Sequence, residues 1–351
     1  MSPTAAAAAV VEVLRPGLLD SVQDPGRPGQ AHLALSRGGA MDRSAMALAN
    51  ALVGNALDDA GVEITGPGPT LRFDCDAWIA TVGARHAIVR VAGPDTGPGE
   101  ALPARRPVFV AAGSILRWQA PPVGWRSWIA VAGGLALPRI LSSRSGHLAS
   151  GIGPGRLVAG QRLALAEDAA DLAHRRAACV LKRAGPGTAR AWPPWQVAED
   201  LPREWPSIDL PVLAGRHLAQ LPAAALESLL QQTWTVSPQS NRQGMRLQGQ
   251  ALDTRALPQL ASEPVSFGTV QLPPAGEPVI LLAEHQTTGG YPRILEVASA
   301  AEHLLAQAAA GCRIRFRVIG LDEADRLARE RAREFVQRLA GVRQACAYPS
   351  E

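Results

Sequence analysis

Lysine occurs once in this chain of 351 residues, at Lys182. That scarcity excludes much. A Walker A phosphate loop ends in Gly-Lys-Ser/Thr, and no such stretch exists here. A biotin carrier bears its cofactor on a lysine, and Lys182 stands in an Arg- and Ala-rich, linker-like region. The chain therefore does not read as the carrier, nor as a Schiff-base enzyme. ATP or biotin chemistry needs groups from another chain, or an unfamiliar site. Cysteine is also sparse: Cys75, Cys179, Cys312 and Cys346 stand far apart, with no C-x-x-C. These read as reduced thiols of a cytoplasmic protein, without a zinc site. No metal is expected elsewhere, because His32, His86, His147, His174, His217 and His303 show no ligand spacing. No G-x-S-x-G exists, which argues against an α/β-hydrolase. No apolar run reaches the length of a membrane span. The first residues lack a basic n-region, and Glu12 interrupts them early, so no signal peptide is expected. The net charge of +4 is carried almost entirely by arginine. Arg315 and Arg317 alternate on an expected strand, and Arg326 to Arg333 lie among acids on an expected helix. Neither makes the aromatic-lined basic stripe of a nucleic-acid interface.

What is present is globular: 47% apolar and 19% charged residues. Gly/Pro punctuation cuts the segment from Val62 to Leu165 into short strands: Val62–Thr65, Thr70–Phe73, Trp78–Val82, Ala87–Val91, Val108–Ala111, Ile115–Trp118 and Arg126–Val131. Such spacing points to a barrel or sandwich, not to a βαβ sheet. Asp42 opens a helix that Gly54 stops. Residues 183 to 206 are rich in Pro, Gly and Trp and mark a junction. Strands follow at Ile208–Ala214, Trp234–Val236, Met245–Leu247, Gly268–Gln271, Val279–Ala283 and Arg313–Val318. Helices are expected at Pro222–Gln231, at Ala298–Ala310 and at Asp322–Leu339. The last should turn Leu327, Ala328, Ala332, Phe335, Val336 and Leu339 inward. The reading is mainly β with a few helices, in two units: residues 10–190 and 207–320, followed by a C-terminal helix and tail over 321–351.

The densest chemistry follows the strand ending at Glu284. There the chain reads His285-Gln-Thr-Thr-Gly-Gly-Tyr-Pro-Arg293. Gln286, Thr287, Thr288 and Tyr291 supply an amide, two hydroxyls and a phenol. Gly289 and Gly290 let a ligand approach the backbone. A plain polar β-turn fits the same residues. His285 suits acid–base work near neutrality, or a purely structural role. Asn241, Arg242 and Arg246 surround a glycine in a second polar loop, where guanidinium groups hold carboxylates or phosphates. Two solvent-facing arginines fit that loop equally. Asp42, beside Met41, reads as a helix cap or a substrate hook.

The segment from Glu263 to Ile294, with its Phe-Gly-Thr-Val-Gln-Leu-Pro-Pro and Gln-Thr-Thr-Gly-Gly-Tyr-Pro runs, resembles the C-terminal half of the family of 5-oxoprolinase C subunits. That family is also called allophanate hydrolase subunit 2 or KipA-like, and is related to the carboxyltransferase domain of urea carboxylase. Ser240-Asn-Arg-Gln-Gly-Met-Arg-Leu-Gln-Gly249 resembles its S-D-R-M-G-x-R-L-x-G, with Asn241 for the usual Asp and Gln243 for Met. Arg293 stands where the family often has Lys. Gly26 to Gly29, Gly39-Ala-Met-Asp42, Ala49-Asn50 and Leu52 to Thr65 resemble its N-terminal signature. The likeness runs in order over roughly residues 10 to 320.

The resemblance implies two cyclophilin-like β-barrel domains. It implies membership of an ATP-dependent 5-oxoprolinase complex, which opens 5-oxo-L-proline to L-glutamate. The partners would be a B-like (KipI-like) and an A-like 5-oxoprolinase protein. ATP would be bound by the complex, at a site unknown in this chain. The expected catalytic residues are Gln286, Thr287, Tyr291 and His285. Those expected to bind substrate are Arg242, Arg246, Asn241, Thr288, Gly289, Gly290, Met41 and Asp42. The alternatives are biotin-dependent carboxyl transfer to urea or a related amide, with biotin as cofactor, and a non-catalytic KipA-like regulator. The loops around Gly26–Gly29, Gly38–Asp42, Ser240–Gly249 and Gln286–Tyr291 are expected to line one open cleft between the domains.

Overall fold

The computed structural model describes residues 9–93, 99–183, 191–198, 201, 207–255, 257 and 260–348. Most of the junction expected over 183–206 lies outside these residues. Among the described residues there are five α-helices: α1 (Arg43–Val53), α2 (Ala169–Arg183), α3 (Ala223–Gln231), α4 (Glu302–Gln307) and α5 (Leu321–Cys346).

The N-terminal strands form two sheets. One has six strands, in the order Arg162–Ala164, Val10–Arg15, Thr70–Phe73, Ile115–Trp118, Ile88–Val91 and Glu100–Leu102. The other has five: Ser21–Gln23, Gly61–Thr65, Arg126–Val131, Ala77–Gly83 and Pro107–Val110. Val13, Ile64, Phe73, Ile79, Leu116 and Ile129 fill the space between them. Successive side chains of a strand point to opposite faces. Trp78 and Trp128, next to Ile79 and Ile129, therefore face away from this core. There they pack beneath α1, α2 and α5. The five-stranded sheet is covered on both faces, which is why Arg126–Val131 is buried at every position.

Among the described residues, the C-terminal strands close into a seven-stranded barrel: Ser207–Ala214, Arg293–Val297, Thr269–Gln271, Val279–Leu281, Gly244–Gln248, Trp234–Val236 and Arg313–Val318. A parallel pairing completes the ring, with Ile208 opposite Ile314 and Leu210 opposite Phe316. Ile314 and Phe316 point inward, while Arg313, Arg315 and Arg317 alternate outward. The two expected barrels thus differ: the second closes, while the first remains two facing sheets.

Three local expectations are corrected. Lys182 lies on α2, not in a linker. The segment expected as a helix over 298–310 is a 3₁₀ turn at Ser299–Ala301 followed by the short α4. The last helix buries Leu339, Val342 and Cys346, while Ala332 and Val336 face outward. Its buried face lies against α1 and α2, so α5 returns from the barrel to the N-terminal half. Tyr348 fastens that return: its hydroxyl donates to the Leu52 carbonyl at 2.7 Å and accepts from Trp78 Nε1 at 2.7 Å. Among the described residues, no helix is long and apolar enough to cross a membrane.

Candidate functional site

Two clusters of polar residues emerge, and they divide the expected site between them. The first is sealed between the two halves. Arg242 is 3% exposed. Its Nε donates to Glu284 at 2.6 Å, one Nη binds Glu63, and the other donates to the Gly39 carbonyl. Burial alone would lower its pKa, but Glu63 and Glu284 outweigh burial and raise it, so the guanidinium stays charged. Each acid is held in turn: Glu63 accepts from the Met41 N–H at 2.6 Å, and Glu284 from the Ala149 N–H at 3.0 Å. The sharp approach at Gly39, with φ of 81°, brings this loop against the Asp24–Gly26 backbone. A Cβ at position 39 would lie 2.5 Å from the Gly26 nitrogen, so only glycine fits.

Asp42 works beside this cluster. One carboxylate oxygen caps α1 through the Ala45 N–H at 2.9 Å, and the other accepts from Gln307 Nε2 at 2.9 Å. Gln307 also donates to the Arg126 carbonyl and accepts from the Trp125 and Arg126 N–H groups. The Met41 side chain packs into the barrel core. Arg242, Met41 and Asp42 thus bind the halves to each other, and none of them lines an open cleft with the Gln286 turn. Ser143 and Ser145, which flank Arg144, donate to the buried Asp24 carboxylate.

The second cluster is open. Asn241, Gln243, Arg246, Gln271, Gln286 and Tyr291 line a cavity of about 230 Å³ on the barrel. Arg246 leaves the strand Gly244–Gln248 on its exposed side, and its guanidinium has no carboxylate partner among the described residues. Asn241 Oδ1 accepts from the N–H groups of Gln243 at 2.8 Å and Gly244 at 3.2 Å. This turn needs an oxygen acceptor and no charge, so asparagine serves it as an aspartate would. Gln286 Nε2 donates to Gln271 Oε1 at 3.1 Å. Thr288–Gly289 forms a two-residue strand against Glu263–Pro264, and the Thr287 carbonyl accepts from Val265 N–H. Arg293 extends this bracing by pairing with Glu263 at 2.5 Å. Tyr291, 47% exposed, stands between this cavity and a more apolar one of about 470 Å³. Gly290, Leu257, Leu260 and Pro292 line the latter.

His285 is not among the residues lining either cavity. Its Nδ1 donates to the Gln286 carbonyl at 2.6 Å. Burial lowers its pKa against the opposing pull of that carbonyl, so the ring is neutral at physiological pH. No group of His, Cys, Asp and Glu suited to a metal ion exists among the described residues.

Sequence reasoning missed Gln271, Glu63 and Glu284. A signal existed for Glu63: an acid inside a strand with no exposed face requires a buried partner. Gln271, alone among valine, leucine and proline at a strand end, carried a weaker one.

The comparisons fit this arrangement. The family model Carboxyltransferase domain, subdomain A and B, matches residues 33–318. The C subunit of the Escherichia coli 5-oxoprolinase is 33% identical over 331 residues, spanning 93% of this chain and 97% of its own length. That of Haemophilus influenzae is 32% identical, spanning 88% and 91%. Among solved structures, Kluyveromyces lactis urea carboxylase superposes with a TM-score of 0.79 at 25% identity. This chain is covered over 96% there but spans only 30% of the urea carboxylase chain. A match running through both halves, and taking in the buried triad and the open cavity alike, places this chain in the carboxyltransferase domain, subdomain A and B, family.

Proposed function

We propose that this chain is the amide-binding component of an ATP-dependent 5-oxoprolinase, which opens 5-oxo-L-proline to L-glutamate together with B-like and A-like partner proteins. The observation that carries the reading is the open cavity. It sets one arginine without a carboxylate partner, Arg246, beside the neutral amides of Asn241, Gln243, Gln271 and Gln286 and the phenol of Tyr291. 5-Oxoproline presents a single carboxylate, a lactam carbonyl and a lactam N–H. Arg246 suits the carboxylate through a charge-assisted pair, and the amides and phenol suit the lactam. The names of the relatives, which are C subunits, support the presence of other subunits.

Opening the ring breaks the C–N bond, adds a water oxygen to the acyl carbon and returns a proton to nitrogen. An unactivated lactam resists this, and phosphorylation of its oxygen by ATP is the activation that the reading requires. The cavity does not fit a triphosphate: it offers one guanidinium and no glycine-rich phosphate loop. Nucleotide binding therefore belongs, in this proposal, to the partner proteins. The share of this chain is to hold the carboxylate and fix the lactam.

A second reading, carboxyl transfer from biotin on a carrier protein to an amide, is favoured by the superposition on urea carboxylase. The lone lysine lies on α2, away from the cavity, so the carrier would be another chain. The deciding experiment mixes this chain with its partner proteins and follows glutamate released from 5-oxo-L-proline with and without ATP. ATP-dependent release above that of the partners alone, with co-elution on size exclusion, supports the proposal. Release no greater than from the partners alone overturns it.

A further inference from the structure

Gln271 is 2% exposed, yet it lines the open cavity. Its Oε1 accepts from Gln286 Nε2 at 3.1 Å, and its own Nε2 is buried without a hydrogen-bond partner among the described residues. A buried, unpaired amide donor is costly, and natural interiors seldom tolerate one without a reason. Gly289 lies beside that amide. Gly289 is not among the glycines with left-handed φ, so its backbone does not demand glycine. What glycine leaves is room: a Cβ at position 289 would lie 2.5 Å from Gln271 Nε2 and 3.1 Å from Gln286 Nε2, and would push these two movable amide ends from their places. The first glycine of the Thr-Thr-Gly-Gly turn is what lets both amides lie against the chain.

We propose that Gln271 is a positioning residue for substrate, holding the Gln286 amide in the cavity in one orientation, with Gly289 providing the room. The proposal rests on the amide-binding reading above. Gln286 is exposed, and an exposed glutamine samples many rotamers. Committing one of its N–H groups to Gln271 fixes the amide plane. The Gln286 carbonyl oxygen and its second N–H are then set as an acceptor–donor pair, which complements the N–H and C=O on one edge of a cis amide such as a lactam. Pre-setting that pair reduces the ordering cost of binding. The recognised class is therefore an amide bearing a free N–H, as a lactam or a urea does.

The test measures KM and kcat of the assembled complex for 5-oxo-L-proline with wild type, Gln271→Met, Gln271→Glu and Gly289→Ala. Met matches glutamine in length and lacks the acceptor, whereas Glu keeps it. KM should rise on the order of tenfold in Gln271→Met and Gly289→Ala, the scale of one lost buried hydrogen bond, with kcat far less changed. Gln271→Glu should recover most of the loss. An unchanged KM in Gln271→Met, or equal loss in Gln271→Glu, overturns the proposal. A wild-type complex inactive on 5-oxo-L-proline overturns the functional reading instead. Crystal structures then decide the positioning role by themselves: Gln286 should leave its wild-type place in Gln271→Met and keep it in Gln271→Glu. An unmoved Gln286 in Gln271→Met defeats the inference.

Discussion

Arg242 of the barrel and Glu63 of the N-terminal sheet form an ion pair that is sealed from solvent, each side chain 3% exposed. With Glu284 on the other side, the guanidinium is bound twice by acids that arrive from different halves of the molecule. Truncating one member of a buried pair strands the others, at a cost of about 3–5 kcal/mol. Arg242→Ala should therefore lower the thermal midpoint strongly and depress soluble yield, instead of simply weakening substrate binding. Calorimetry of Arg242→Ala and Glu63→Gln checks this. Midpoints close to wild type in both would return Arg242 to the list of substrate-binding residues.

Gln307 predicts a more local weakness. It is 2% exposed and ties the Asp42 carboxylate to the backbone at Trp125 and Arg126. Gln307→Ala leaves two N–H groups and two oxygens of the N-terminal half without this partner, at about 1–3 kcal/mol for each group that finds no substitute. The loosening should appear first where the halves meet. Hydrogen exchange should quicken at Trp125, Arg126 and the first turn of α1, while the barrel strands stay protected. Uniform acceleration across both halves would contradict this.

The strands were legible because the local signals agreed with the final packing. Thr70–Phe73, Ile115–Trp118, Arg126–Val131 and Arg313–Val318 have the boundaries read from the sequence. Helix α1 was equally plain, with Asp42 capping it and Gly54 ending it at φ of 78°. Helix α2 carried a signal that went unread: its buried Ala169, Leu172, Ala173, Arg176, Ala177 and Val180 recur at helical spacing, but alanines and an arginine stand where large apolar side chains would mark a core face. The site was half legible. Asn241, Arg246, Gln286 and Tyr291 do meet around one cavity. Arg242, one residue from Asn241 in the same turn, does not join them: it is buried and points to Glu63 and Glu284. One faces the cavity and the other the seam between the two halves, and only the location of Glu63 and Glu284 in space reveals which.

Asp20 gives a prediction about pH. It is 2% exposed, with one oxygen accepting from the Gly17 N–H at 2.6 Å and the other unpartnered among the described residues. Burial pushes its pKa up to about 7, against the smaller opposing effects of the backbone and Arg156. In the unfolded chain it ionises near 3.8. Between these values the folded protein holds a proton that the unfolded chain has released, so stability falls as pH rises across that window. The loss is at most about 4 kcal/mol. Asp20→Asn keeps an acceptor for Gly17 and removes the titration. The variant should be more stable than wild type at about pH 8 and similar at about pH 4. Urea midpoints across the range check this, and parallel pH profiles for the two proteins would refute it.

Arg246 supplies the sharpest test of the cavity, because it separates binding from folding. It projects from a strand on the solvent side, and no carboxylate holds it among the described residues. Removing it should therefore leave stability within about 0.5 kcal/mol of wild type. If it pairs with the substrate carboxylate, Arg246→Ala forfeits a charged hydrogen bond, and KM for 5-oxo-L-proline should rise about 10- to 100-fold. Arg246→Lys keeps the charge but loses the planar fork, so it should recover only part of the loss. The carboxamide of 5-oxoproline, which lacks the negative charge, should bind wild type and Arg246→Ala about equally. Steady-state kinetics with both compounds, alongside thermal melts, give the answer. Equal losses for the acid and the amide would mean that Arg246 shapes the cavity without reading charge. A collapse of the melting midpoint would mean that it supports the strand.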